Sequence, residues 1–162
     1  MKTKISAAVI ALFFLMACGS SEPKQEAAQN VEEDVNVKFI LKASNMMFIK
    51  MDKDSVLIAN EPISTNAQVF EIVDLNNGRC ALKVAPGKYV VDDRKKENKL
   101  FGNSPNTWDW ESFEIIALDQ TKVNIKASSG MFVCADQTAG SFLKADRAGA
   151  GDWETFELLR QN

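Results

Sequence analysis

Seven residues, Asp109-Trp110-Glu111-Ser112-Phe113-Glu114-Ile115, return 43 positions later as Asp152-Trp153-Glu154-Thr155-Phe156-Glu157-Leu158. A degenerate copy, Ala67-Gln68-Val69-Phe70-Glu71-Ile72, lies 43 positions earlier. Self-similarity at a period near forty residues marks an architecture of repeated units, each unable to bury its apolar face alone. Every other reading of the chain has to fit that period.

Within the period, four short β-type runs recur. The first is Phe39-Ile40-Leu41-Lys42-Ala43, Cys80-Ala81-Leu82-Lys83-Val84 and Val123-Asn124-Ile125-Lys126-Ala127. The second contains Met47-Phe48-Ile49, Lys88-Tyr89-Val90 and Met131-Phe132-Val133, and each copy then reaches an aspartate, Asp52, Asp93 or Asp136. The third surrounds Leu57, Leu100 and Leu143, and the fourth carries the Phe-Glu-Ile/Leu motif. In that motif the phenylalanine and the final aliphatic residue share one face while the glutamate points the other way. Ser44-Asn45, Pro86-Gly87 and Ser128-Ser129-Gly130 supply turns between the first two runs. No stretch beyond residue 36 keeps a 3.6-residue apolar period, so no long helix is expected.

Four runs in three copies, about 37–75, 78–118 and 121–160, predict an all-β chain of twelve short strands, a β-trefoil over residues 37–162. Three units around a pseudo-threefold axis close a barrel and leave no free edge. The expected core triplets are Leu41, Leu82 and Ile125, and Phe70, Phe113 and Phe156. Tyr89 stands where the other copies have phenylalanine, so its hydroxyl needs a polar partner or water.

The pattern Val-x-Ile-Lys-Ala-x-x-Gly-x-Phe-Val at residues 123–133, with Trp-Glu-Thr-Phe-Glu-Leu at 153–158, resembles the fascin-like β-trefoil of the actin-crosslinking-protein superfamily. The resemblance spans roughly residues 37–160. It is strongest in repeat three and weakest in repeat one, which lacks the glycine and the tryptophan. It implies the fold. Actin bundling is not carried over, because animal fascins use several trefoils and this chain has one. The Gln-x-Trp signature of ricin-type lectin trefoils is absent.

The N-terminus carries Lys2 and Lys4, an apolar run from Ile5 to Met16, and then Leu15-Met16-Ala17-Cys18-Gly19. This resembles a bacterial lipoprotein signal peptide (residues 1–17) with its lipobox. The resemblance implies cleavage before Cys18, a diacylglycerol thioether on its sulfur, an acylated amino group and a lipid bilayer as partner. Gly19 after the cysteine implies the outer membrane. Residues 19–36 hold Glu22, Glu26, Glu32, Glu33 and Asp34 against Lys24 alone. That stretch reads as a flexible tether.

The formal charge is −3; the tether's five acids and one base outweigh the whole of it and Lys2 and Lys4 offset part, so the repeats are close to neutral. A near-neutral globule gives no reason to expect nucleic-acid binding. The chain has no histidine, which removes the commonest zinc ligand and the usual general base. No catalytic constellation and no cofactor motif stands out, and a monomer is expected.

The candidate ligand residues are Trp108, Asp93, Asn103, Asp136 and Asp146. Trp108 is a lone aromatic in a polar loop without counterpart in the other repeats. Asp52, Asp93 and Asp136 recur after the second run, and Asn60, Asn103 and Asp146 after the third. Carboxylates and amides beside an aromatic suit sugar hydroxyls; the same residues also form Asx turns. Trp110 and Trp153 serve either as stacking platforms or as plugs at the barrel edge. Lys42, Lys83 and Lys126 form a basic ring or a solvent-facing row. Arg94-Lys95-Lys96 with Lys99 is a local basic cluster. Cys80 and Cys134 replace apolar β positions as free buried thiols, or pair in a disulfide.

The function these features favour is a non-catalytic, membrane-anchored module that binds carbohydrate in shallow repeated sites. The alternative is an envelope lipoprotein that docks a protein. A sugar binder requires an exposed aromatic beside exposed Asp or Asn, whereas a protein dock requires a contiguous apolar patch.

Overall fold

The computed structural model describes residues 37–138 and 140–161. Cys18, the signal peptide and the tether lie outside the described residues. Twelve strands follow in order: β1 Lys38–Lys42, β2 Phe48–Met51, β3 Leu57–Glu61, β4 Phe70–Asp74, β5 Cys80–Ala85, β6 Lys88–Asp93, β7 Lys99–Ser104, β8 Phe113–Ala117, β9 Lys122–Ala127, β10 Phe132–Asp136, β11 Phe142–Arg147 and β12 Thr155–Arg160. The described helical elements are three-residue 3-10 turns at Ser64–Asn66, Asp109–Glu111 and Asp152–Glu154.

The barrel closes through six antiparallel pairings. Within each repeat the first strand pairs with the fourth, as Phe39 with Phe70, Cys80 with Phe113 and Val123 with Phe156. Between repeats the fourth strand pairs with the first strand of the next: β4 with β5, β8 with β9, and β12 back to β1. The middle strands form the hairpins β2–β3, β6–β7 and β10–β11. These meet through Ile58 with Phe142, Lys99 with Lys144 and a bridge from Val56 to Phe101. Circular closure is what the described residues require, since they hold no helix longer than three residues to cover a sheet edge. The chain is a β-trefoil.

The expected triplets form the core. Phe70, Phe113 and Phe156 are at most 1% exposed, as is Phe39, which stacks on Phe70 with ring centroids 5.6 Å apart. Leu41, Leu82 and Ile125, then Ile49, Val90 and Val133, then Leu57, Leu100 and Leu143 are likewise buried. Phe48, Tyr89 and Phe132 make a different triplet. They are half-buried on the outer surface, so the Tyr89 hydroxyl is not forced into the core.

The recurring lysine of the first strand and the recurring glutamate of the fourth turn out to be partners. Lys42 faces Glu157, Lys83 faces Glu71 and Lys126 faces Glu114 across the inter-repeat ladders. Lys83 Nζ lies 3.1 Å from Glu71 Oε1, and Lys42 Nζ lies 3.9 Å from Glu157 Oε2. The ammonium groups of Lys42 and Lys126 also sit over the Phe48 and Phe132 rings. The lysines are therefore half-buried seam residues rather than a free basic ring. Opposite charges directly across a ladder contribute about 0.2–1 kcal/mol each and disfavour a slipped register.

The glycine that repeat one lacks has a backbone consequence. Gly87 and Gly130 turn from the first strand to the second with φ of 64° and 83°. Met46 holds the same position with φ 66° and an exposed side chain. A left-handed conformation costs a non-glycine residue about 1–2 kcal/mol, offset in part by the entropy that glycine loses on folding. Met46→Gly is expected to stabilise the domain by about 0.5–1 kcal/mol in urea unfolding; a loss of stability would show that the methionine side chain contributes more than it strains.

Cys80 and Cys134 are both free and buried. Burial pushes their thiols up to about 12 and about 11. A thiol needs its thiolate form to react. In the native domain neither should react with a disulfide reagent on the timescale of minutes, and both should react after denaturation. Rapid native reaction would contradict the packing described.

Candidate functional site

The site is built where β7 gives way to β8. Pro105 follows the last residue of β7 and lacks the N–H that would extend the ladder. The polar loop Pro105-Asn106-Thr107 then delivers Trp108 to the surface, where it is 74% exposed. A 3-10 turn over Asp109–Glu111 follows, closed by the Ser112 N–H donating to the Asp109 carbonyl at 3.1 Å. Phe113 next enters the core and pins the turn to the barrel.

Trp108, Asp109, Trp110 and Glu111 line a shallow depression of about 260 Å³. Trp110 is half-buried beneath Arg94, whose guanidinium carbon lies 5.4 Å from the ring centroid. Arg94 is held from several sides. It donates to Ser128 Oγ at 2.6 Å and lies 3.4 Å from Asp109 Oδ2 and 3.5 Å from Asp92 Oδ2. The basic cluster read from the sequence is thus partly internal, with Arg94 bracing Trp110. A second depression, about 460 Å³, lies along β4 and β5 beside Glu71, Asp74, Lys83 and Tyr89. No strongly exposed aromatic lines it.

The other sequence candidates divide. Asn103 is exposed near the end of β7, five residues before Trp108. Asp93 is half-buried and caps its own turn, its Oδ1 accepting from the Lys95 N–H at 3.0 Å, with Lys96 Nζ 3.6 Å from its other oxygen. Asp136 is a correction. It is buried, its Oδ1 accepts from the hydroxyl and N–H of Thr138 at 2.7 and 3.1 Å, and Lys144 Nζ lies 3.3 Å from Oδ2. The side chain is buried in its own turn and does not line the Trp108 depression. Asp146 belongs to the β10–β11 hairpin of repeat three, 3.3 Å from Arg147 Nε, and does not line the Trp108 depression. Trp153 is half-buried with Arg147 6.0 Å from its ring centroid.

Positions equivalent to Trp108 hold Thr65 in repeat one and Gly151 in repeat three. Asp109 and Glu111 join the site although neither was among the sequence candidates. Both belong to the repeated motif, which reads as architecture until the three copies are compared in space.

Two buried or part-buried aspartates titrate in opposite senses. Burial pushes the Asp92 carboxyl above the ordinary value, against the pull of Arg94 and Ser129. The folded state then holds the proton more tightly than the unfolded one. Stability from Asp92 is full below about pH 3.9 and declines as pH rises through the raised folded value. Thr138 and Lys144 hold Asp136 below the ordinary value, so its contribution is present above about pH 3.9 and is lost as pH falls through the depressed value. Asp92→Asn is expected to flatten the decline on the alkaline side of that point. An unchanged pH profile in urea unfolding would contradict this assignment.

No protein-family model matches the sequence, and no curated protein matches it. Solved structures do. ThreeFoil, a designed 3-fold symmetric protein, is similar with a TM-score of 0.64 and 16% identity, over 75% of this chain and 97% of that one. The BEL β-trefoil gives 0.62 and 16%, over 77% and 93%. A GlcNAcα1-4Gal-releasing endo-β-galactosidase from Clostridium perfringens gives 0.64 and 12%, over 78% of this chain but 33% of that one. At these identities the likeness is one of fold, and the class it defines is the β-trefoil.

Proposed function

We propose that this chain is a non-catalytic, carbohydrate-binding β-trefoil of the fascin-like kind, anchored to the outer membrane through an acylated Cys18. The observation that carries the binding reading is Trp108, 74% exposed on the wall of a depression shared with Asp109, Trp110 and Glu111. Stacking of a sugar's apolar face on an indole, with carboxylate acceptors beside it, is the combination that carbohydrate recognition requires. The likeness of this fold to part of an endo-β-galactosidase supports the reading without extending that enzyme's activity to this chain.

A single shallow site gives weak binding. Display of many copies on one membrane would sum such contacts. The anchor rests on the lipobox-like Leu15-Met16-Ala17-Cys18. Several acyl chains, at about 0.8 kcal/mol per buried CH2, would hold the protein there durably.

The test is a titration of the full-length protein in detergent with a panel of soluble polysaccharides, followed by tryptophan fluorescence. A saturable change that Trp108→Ala removes would support the reading. Silence across the panel from a folded protein would sink it. Mass spectrometry of the membrane-extracted protein tests the anchor, which an unmodified Cys18 would disprove.

A further inference from the structure

Asp92 is a buried charge for which the barrel has no use. It lies on β6, is 0% exposed, and has Leu100 opposite it on β7. The same position holds Met51 in repeat one and Ala135 in repeat three, both apolar. The carboxylate is also poorly satisfied. Its Oδ2 accepts from Ser129 Oγ at 3.4 Å and faces Arg94 Nε at 3.5 Å. Its Oδ1 is buried and has no hydrogen-bond partner among the described residues. Burying a carboxylate in this way costs stability. A local rule broken without a packing reason points to a role at a site.

What the carboxylate touches is the support of the Trp108 depression. Arg94 donates to Ser128 Oγ at 2.6 Å, lies 3.4 Å from Asp109 Oδ2 and covers the Trp110 ring at 5.4 Å. In repeat three Gln137 holds the position of Arg94, and it donates to Ser44 Oγ at 3.1 Å. Ser44 and Ser128 are themselves equivalent. The tie from this hairpin to the first turn of the next repeat is therefore made by a neutral amide, with Ala135 in place of the acid. In repeat one Lys53 is the cation and Met51 stands at the position of the acid. Repeat two alone joins a cation to a buried acid here, and it is the repeat that carries Trp108. Of the two carboxylates that face Arg94, Asp109 is 71% exposed and its pull is screened by water, whereas that of the fully buried Asp92 is not.

We propose that Asp92 is a positioning residue of the Trp108 site, fixing Arg94 so that Arg94 fixes Trp110 and the Asp109–Glu111 turn. Its effect on binding rests on the carbohydrate reading above. Asp92 itself touches no ligand. Protonation removes its pull on Arg94 and loosens the wall of the depression. The ionised form is thus the binding form, and affinity falls as pH falls through the titration of Asp92. Burial holds that carboxyl above its ordinary value, which brings the transition to a milder pH. The other charged groups around this network are Asp93 beside it on β6, and Asp109 and Glu111 on the turn that packs against β6. The turn between β9 and β10 faces it with Ser128 and Ser129, and β7 with Leu100.

The first test needs no glycan. Indole N–H signals of the full-length protein in detergent are recorded from about pH 7 to about pH 4. The Trp110 signal is expected to move through an acid transition that Asp92→Asn, which keeps the shape of the side chain, abolishes. The second test is calorimetry at neutral pH with N-acetylglucosamine oligomers and galactose oligomers as probes. Asp92→Asn should bind whichever of them the parent binds about tenfold more weakly, as for one lost charge-assisted hydrogen bond. Its stability in urea should equal or exceed the parent's. Asp92→Ala, which copies Ala135 of repeat three, should do the same. A transition that persists in Asp92→Asn, or parent-like binding by both variants, would overturn this inference and leave the carbohydrate reading standing. A loss of stability along with binding would assign Asp92 to the packing and overturn it as well. Failure of the parent to bind any of the oligomers would overturn both readings.

Discussion

Trp108→Ala is expected to weaken glycan binding by about 30-fold or more, the loss that truncating an aromatic hot spot entails at about 2 kcal/mol. The argument is one of surplus exposure. An indole left 74% in water contributes little to the stability of its own fold. The neighbouring positions of the loop are polar, and the repeats that lack the aromatic have Thr65 or Gly151 in its place. The barrel thus does not need an indole there. The same substitution should change unfolding stability by no more than about 0.5 kcal/mol, as for surface sites in general. Trp110→Ala provides the contrast. It removes the ring beneath Arg94, so it should cost stability and binding together. A Trp108→Ala protein that binds as tightly as the parent would remove the observation on which the functional reading depends.

Phe113→Ala is expected to destabilise the domain by about 3–5 kcal/mol, a large part of the 5–15 kcal/mol that holds a typical domain together. Phe113 is fully buried and lies at the point where β8 pairs with β5 inside repeat two. Its cross-strand partner is Cys80, where repeat one has Phe39. A cysteine is too small to collapse into the space that a lost phenyl ring leaves, so a cavity should persist and add to the transfer cost. Phe70→Ala leaves Phe39, already stacked at 5.6 Å, beside the gap. Its cost should fall in the lower part of the same range. Urea unfolding of both variants measures the difference. A Phe113→Ala protein within about 1 kcal/mol of the parent would show that the triplet does not sit in the core described.

The period that predicts the twelve strands also predicts both phenylalanine and aliphatic triplets, because identical residues at identical phase must occupy equivalent places around an axis. Trp108 is legible for the opposite reason, as an aromatic out of phase with everything else. Other features depend on facts that phase alone does not carry. The pairing of Lys83 with Glu71 requires knowing that the fourth strand of one repeat meets the first strand of the next. The loss of Asp136 requires its neighbours Thr138 and Lys144 to close on it, which a recurring aspartate does not announce. Glu111 and Glu154 are alike in sequence. Only the fold shows that the first accepts from Ser104 Oγ and the second from the Gly151 N–H. The proposed anchor is in the reverse position: the lipobox-like residues are plain in the sequence, and they lie outside the described residues.

The central claim is one glycan site, in repeat two. The measurement that tests it most directly is a proton–nitrogen correlation spectrum of the indole N–H groups, recorded on the labelled full-length protein as a binding oligosaccharide is added. The chain has three tryptophans, so three indole signals report on the site and on its nearest look-alike. The account predicts that the Trp108 and Trp110 signals move in a saturable way while Trp153, beneath Arg147 in repeat three, stays in place. Movement of Trp153 to the same extent, or of Trp153 alone, would contradict it.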